Sequence, residues 1–393
     1  MSSTSFARVA LPASALLAGC AALALGIAPA AEAATASTTP SAAAPSYRAG
    51  ASDAVFAQTD NTAGNQVEVY QRAANGTLSL VKGYATDGLG GALTGSVVDH
   101  LASQGSLTYD SAHGLLYAVN AGSDTVSVFA VHGTELTLRQ VVPSGGTFPV
   151  SVAVHGSVVY VLNAENGGSI QGFRVANGGL VSESGWNRQL GLETDATPQF
   201  THTPGQVGFT ADGRQLLVTT KAAGNDVYVY RLGYDGSPSQ SLTVNSLPGT
   251  VPFAFVNTGR DQIALVKAGT STVSTYQVNS DGTLTALSSF ATGEAATCWI
   301  AGDGSLLFAS NAGSATETGL KLGGYGSLAG LGNTSTDAGT VDATASPDGR
   351  DLYIQTGGTG TVDEYAIGSG GSLTEIGSVV VAGGVGGEGI TVG

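Results

Sequence analysis

Val227-Tyr228-Val229-Tyr230 alternates β-branched with aromatic residues, and a Gly-containing turn and a Leu-bearing run follow it. The same unit recurs as Val67-Glu68-Val69-Tyr70, Val126-Ser127-Val128-Phe129, Ile170-Gln171-Gly172-Phe173, Val273-Ser274-Thr275-Tyr276 and Val362-Asp363-Glu364-Tyr365, with a degenerate copy at Leu320-Lys321-Leu322. Repeats of roughly 40 to 50 residues carrying four strands each are the signature of a β-propeller. Seven copies predict seven blades, and the chain is read as all-β.

Each blade is written as strands A to D, innermost to outermost. Asp-Gly pairs at Asp212-Gly213, Asp303-Gly304 and Asp348-Gly349 fit A-to-B hairpin turns. Strand A is then expected around Leu107, Val152, Val207, Phe255, Trp299, Ala343 and Ile390. The last of these follows the final complete blade, while the strands from about Val55 lack an inner strand of their own. The C-terminal strand should therefore complete the N-terminal blade, closing the ring and removing open sheet edges. Loss of the last few residues should be disproportionately damaging.

Of the 393 residues, 59 are Gly and only 11% are charged, which suits many tight turns between short strands. The net charge of −15 and the lack of a Lys/Arg cluster argue against a nucleic-acid partner. Residues 1–33 read as a signal peptide, with Arg8, an apolar run through Ile27 and Ala31-Glu32-Ala33 before cleavage at Ala34. Export is expected. Leu17-Ala18-Gly19-Cys20 also fits a lipoprotein box, so a lipid anchor at Cys20 stands as the alternative. Residues 34–49 are Ala/Ser/Thr/Pro-rich and read as a disordered lead-in, with the propeller over 50–393. No transmembrane segment is expected in the mature chain, and a monomer is. Once Cys20 is removed or lipidated, Cys298 has no partner for an internal disulfide.

Up-and-down order places the loops leading into strand A and the B-to-C loops on one face. His113 and His155 fall in A-to-B turns and His132 in a C-to-D turn, on the other face. His100 and His202 sit in two long insertions on the first face, about Asp87 to Gln104 and Trp186 to Gln206. Long loops on a rigid scaffold are where binding residues usually sit.

The stretch Thr203-Pro204-Gly205-Gln206-Val207-Gly208-Phe209-Thr210-Ala211-Asp212-Gly213-Arg214, together with the repeats, resembles the seven-bladed propeller lactonases. That family includes bacterial 6-phosphogluconolactonase and the fungal carboxymuconate-lactonising enzyme. Leu116-Tyr117-Ala118-Val119-Asn120-Ala121-Gly122-Ser123-Asp124 is similar to the family's blades. The resemblance implies a lactone hydrolase or lactonising enzyme. Where such lactonases read Pro-Arg-His in the fourth blade, Gly205 and Gln206 replace Arg and His. Thr220-Lys221 replace the Asn-Glu pair that follows the next strand.

Ester or lactone hydrolysis needs a base and donors for the oxyanion. The candidates are Gln206 as donor to a carbonyl, Lys221 as charge stabiliser, and His202 or Glu165 as base. Such a mechanism needs His202, Gln206 and Lys221 to converge. Binding candidates are His100, Asn163, Lys267, Glu294, Asp342 and Glu388, expected to ring a polar channel mouth. The partner is a small polar molecule or lactone; the alternative is a non-catalytic extracellular module recognising a sugar, peptide or surface partner. No cofactor is expected, and no metal, since the histidines lack ligand spacing and the Asp-Gly turns lack a calcium loop's carboxylates. Cys298-Trp299 reads as a small buried Cys beside a packed Trp. Gly384 to Gly389 matches G-x-G-x-x-G, but a strand follows it and not a helix, so it reads as a flexible loop into the last strand.

Overall fold

A computed structural model of the protein describes residues 54–393; the signal peptide, the lead-in and Cys20 lie outside them. The described chain forms seven four-stranded antiparallel sheets, one per blade. Their inner strands are Leu107–Asp110, Pro149–His155, Gln206–Phe209, Pro252–Gly259, Thr297–Asp303, Thr340–Ala345 and Ile390–Val392. All seven fall where the repeat pattern predicts them. No helix among the described residues is long and apolar enough to cross a membrane.

Second strands such as Leu115–Asn120 and Asp351–Thr356 are buried along their whole length. They lie between two neighbouring sheets, which explains runs such as Leu-Leu-Tyr-Ala-Val with no polar alternation. Outermost strands such as Leu78–Ala85 are largely exposed. Tyrosines clasp the seams between blades. Tyr160 donates from its hydroxyl to the Gly236 carbonyl (2.8 Å) and Tyr353 to the Gly76 carbonyl (2.7 Å). Both glycines sit in C-to-D turns of the next blade at φ +88°, a region glycine tolerates and most residues avoid.

Ile390–Val392 pairs with Ala54–Gln58 in the register Val55↔Val392, Phe56↔Thr391 and Ala57↔Ile390. The C-terminal strand thus completes the first blade and closes the ring. An ion pair reinforces this seam. Arg72 bonds Asp348 at 2.9 Å and also Asp351, with Arg72 and Asp351 both buried.

Candidate functional site

The first long insertion turns inward. Between the outer strand Leu78–Ala85 and the inner strand Leu107–Asp110, Leu93, Leu101, Ala102 and Ser103 are buried over the end of the central channel. The segment is held from five blades. His100 N–H donates to Gly386 O (2.7 Å), Ser103 Oγ to Val150 O (2.7 Å), Gln104 N–H to Gly205 O (3.0 Å), and Ile300 N–H to Gln104 Oε1 (2.9 Å). Against the last blade, Val98 O lies so close to Gly357 that any Cβ there would strike it, and His100 packs on Gly386 in the same way. Gly384–Gly389, expected as a flexible loop, is instead mostly buried and hydrogen-bonded, because its missing side chains let this segment pass. The second insertion locks onto the first: Thr94 N–H donates to Gln199 Oε1 (2.9 Å), and Gln199 Nε2 donates to Glu165 Oε1 (3.1 Å).

Beneath this segment lies a shell of titratable groups. Lys221 is buried and its Nζ donates to Ala102 O and Phe200 O, both at 2.6 Å. Lys221 and Ala102 both adopt left-handed backbone (φ +48° and +50°), so two strained residues meet across one charge-assisted bond. Asp60, Asp99, Asp342 and Glu388 are buried around it. Glu388 accepts from Ser103 N–H (3.2 Å) and from the Ser103 hydroxyl, while Glu388 N–H donates to Asp60 Oδ2 (2.8 Å).

Among the described residues, none of these four carboxyls forms an ion pair. Burial pushes Asp60, Asp99 and Asp342 up to about 7, with the Lys221 charge opposing the rise at Asp99. Glu388 rises well above the carboxylate range through burial, then through the Asp99 and Asp60 charges. Burial lowers Lys221 to about 8, against the pull of Asp99 and Glu388.

The expected convergence of His202, Gln206 and Lys221 does not occur: among the described residues no hydrogen bond joins any two of them. His202 Nδ1 sits 2.9 Å from Pro198 O, within its own short helix Gln199–His202. Gln206 clasps the next blade through both ends of its amide, to Phe255 O (3.1 Å) and from Phe255 N–H (2.6 Å). Lys221 is spent on carbonyls, and Glu165 on Gln199.

The binding candidates divide. Glu388 and Asp342 join the buried shell, Asp342 from inside an inner strand and not from a loop, and His100 packs beside them. Asn163 bonds Ser144 O and Ser169 within its own blade region, Lys267 ends a strand of the fifth blade, and Glu294 bonds Asn333 of the sixth. Of the expected charges, Asp342 and Glu388 thus lie under the covering segment, while Lys267 and Glu294 stand apart from it. Trp299 is buried and donates to Ser103 O, whereas Cys298 keeps partial exposure and burial raises its thiol strongly.

Sequence reasoning missed Asp60, Asp99 and Ser103. Asp60 follows the first blade's B strand, as Lys221 follows the fourth blade's, so the loop logic that flagged one reaches the other. Asp99 and Ser103 stand inside the flagged insertion. Among the described residues no three His, Cys, Asp or Glu side chains are disposed to hold a metal ion.

A cavity of about 460 Å³ occupies the channel below the seal. It runs from Gln104 and Gly105 to His155, Ala211 and Gly302, which are exposed beside the A-to-B turns. It is lined by consecutive residues of the inner strands, as expected where strand edges face inward. Such edges present backbone donors and acceptors together.

Residues 81–260 match the family described as lactonase, seven-bladed β-propeller. No curated protein matches the chain. Among solved structures, it is similar to the periplasmic gluconolactonase of Pseudomonas aeruginosa, at 17% identity and TM-score 0.66 over 86% of this chain and 99% of that one. It is similar also to a Bacteroides uniformis protein named by inference a 6-phosphogluconolactonase, at 18% identity and TM-score 0.69 over 86% and 98%. A Lactobacillus plantarum protein gives 20% identity and TM-score 0.65 over 86% and 98%. At these identities the structural likeness is one of fold. The family match over residues 81–260, the seven blades and the closing strand agree, and the chain has the fold of the seven-bladed β-propeller lactonases and is similar to that family.

Proposed function

We propose that this chain is an exported lactonase-family propeller that binds a small polar molecule, a sugar or lactone, without opening or forming its ring. One observation carries this reading. On the face where loops gather, Lys221, Gln206, His202 and Glu165 are already bonded to the protein, and the Leu93–Gln104 segment covers Lys221. The channel open at the other face suits an uncharged, hydroxyl-rich ligand, which offers donors and acceptors together and so matches the inner strand edges. Export rests on the leader over residues 1–33.

The test is a panel of γ- and δ-lactones and simple esters offered to the protein from Ala34 onward, beside a Lys221→Met variant. The expected outcome is no turnover by either, with saturable binding of some panel member followed by tryptophan fluorescence. Turnover by the parent that Lys221→Met abolishes would overturn the reading.

A further inference from the structure

The Leu93–Gln104 segment closes the mouth by resting on a shell with four carboxyls and one amine. The groups facing it come from every side. The segment brings Asp99 and His100, the first blade Asp60 and Glu388, the fourth Lys221, the sixth Cys298 and the seventh Asp342. Glu165 reaches the segment from the third blade through Gln199, and His202 lies at the far end of that same helix. Among the described residues Lys221 is the one amine in the shell, and its Nζ donates to the backbone carbonyls of Ala102 and Phe200. Protons on the carboxyls are what keep this closed shell near neutrality.

We propose that the Leu93–Gln104 segment is a plug released by deprotonation: as its own Asp99 and the carboxyls beneath it ionise, their mutual repulsion lifts the segment and opens the channel through to the second face. This goes beyond the binding reading and does not depend on it. The direction follows from linkage. In the closed state Asp60, Asp99 and Asp342 hold protons up to about pH 7, whereas the same groups in water release them near 3.8. Closure is therefore fully supported below that range and weakens as pH rises through it. Lys221 acts the other way only above about pH 8, where the closed amine has lost its proton and the open one has not. The loss through the carboxyls thus runs from about pH 3.8 to about pH 7, below the range where Lys221 acts, and a comparison of pH 5.5 with pH 8 takes in its upper part.

The experiment is hydrogen exchange on the protein from Ala34 onward, at pH 5.5 and 8.0, with rates corrected for intrinsic chemistry. Peptides covering residues 96–106 are compared with peptides from residues 115–131, which lie in the body of the second blade. The expected result is a loss of protection of about tenfold or more across 96–106 at the higher pH, with 115–131 unchanged. Glu388→Gln and Asp99→Asn should each flatten that pH response. Equal protection of 96–106 at both pH values would overturn the proposal. So would a loss shared equally by both regions, which would mark general loosening and not a plug. Two carboxyl variants are used so that one which folds poorly leaves the other to decide.

Discussion

Glu317 lies wholly buried in the sixth blade, and neither of its carboxyl oxygens finds a hydrogen-bond partner. Burial raises it to about 8. The folded chain holds a proton there that the unfolded chain has released between about pH 4.5 and pH 8, so stability falls as pH climbs through that window. Replacing an unsatisfied buried group by an apolar one of similar shape removes the penalty. Glu317→Met is expected to stabilise by about 1–3 kcal/mol at pH 8, with a smaller gain at pH 5, read from urea unfolding at the two pH values.

The glycines under the plug give a second residue-scale prediction. Gly357→Ala should cost about 1–3 kcal/mol, because its Cβ must displace the Val98 carbonyl. Gly370→Ala, in open space on the same blade, should be nearly neutral; equal effects would show that contact with the plug is not what Gly357 serves. At this scale the sequence was only half legible. Loop position told which face Lys221 and Glu388 belong to. It could not tell burial, because burial there depends on another loop folding over them.

At the scale of elements, the strands were the legible part. The recurring strand unit and the Asp-Gly turns were enough to place all seven inner strands. The first insertion was legible as length alone: its excess over a turn marked it as important, but a loop's length carries no direction. The directional signal was the glycines at 357 and 386 in the opposing loops, which make room for a neighbour. The seam between first and last blades gives the prediction at this scale. Arg72 joins Asp348 and Asp351 across it, with Leu78 N–H donating to Glu364 Oε1 (3.1 Å) and Tyr70 hydroxyl to Val380 O (2.9 Å) alongside. Removing one member of a buried pair leaves the other uncompensated, and Asp351 is buried. Arg72→Met should cost about 3–5 kcal/mol, and the double variant Arg72→Met, Asp351→Leu should recover a substantial part of it. A double variant as unstable as the single one would show that the pair matters for more than its charge.

The whole molecule depends on closure, because each blade's inner sheet face is buried only when a neighbour stands on both sides. Seven blades in a row would leave Ala54–Gln58 as an unprotected, fully buried-type edge, and Ile390–Val392 covers it. Ile390 also belongs to one buried apolar cluster with Val55, Ala57, Tyr353 and Val362, so the last strand joins the first blade's sheet to the seventh blade's core. This architecture was legible from counting alone: the last inner strand had no outer strands, and the first outer strands had no inner one.

Two kinds of damage to that strand should therefore separate. Ile390→Ala keeps the ladder and loses only packing, which costs about 2–5 kcal/mol. A chain ending at Gly389 loses the ladder and the packing and exposes an apolar edge. It is expected to melt lower than Ile390→Ala and to associate as concentration rises, read by thermal unfolding and by size-exclusion at two concentrations. A truncated chain that stays monomeric and melts with the parent would mean that the ring is held by the Arg72 seam and not by the closing strand.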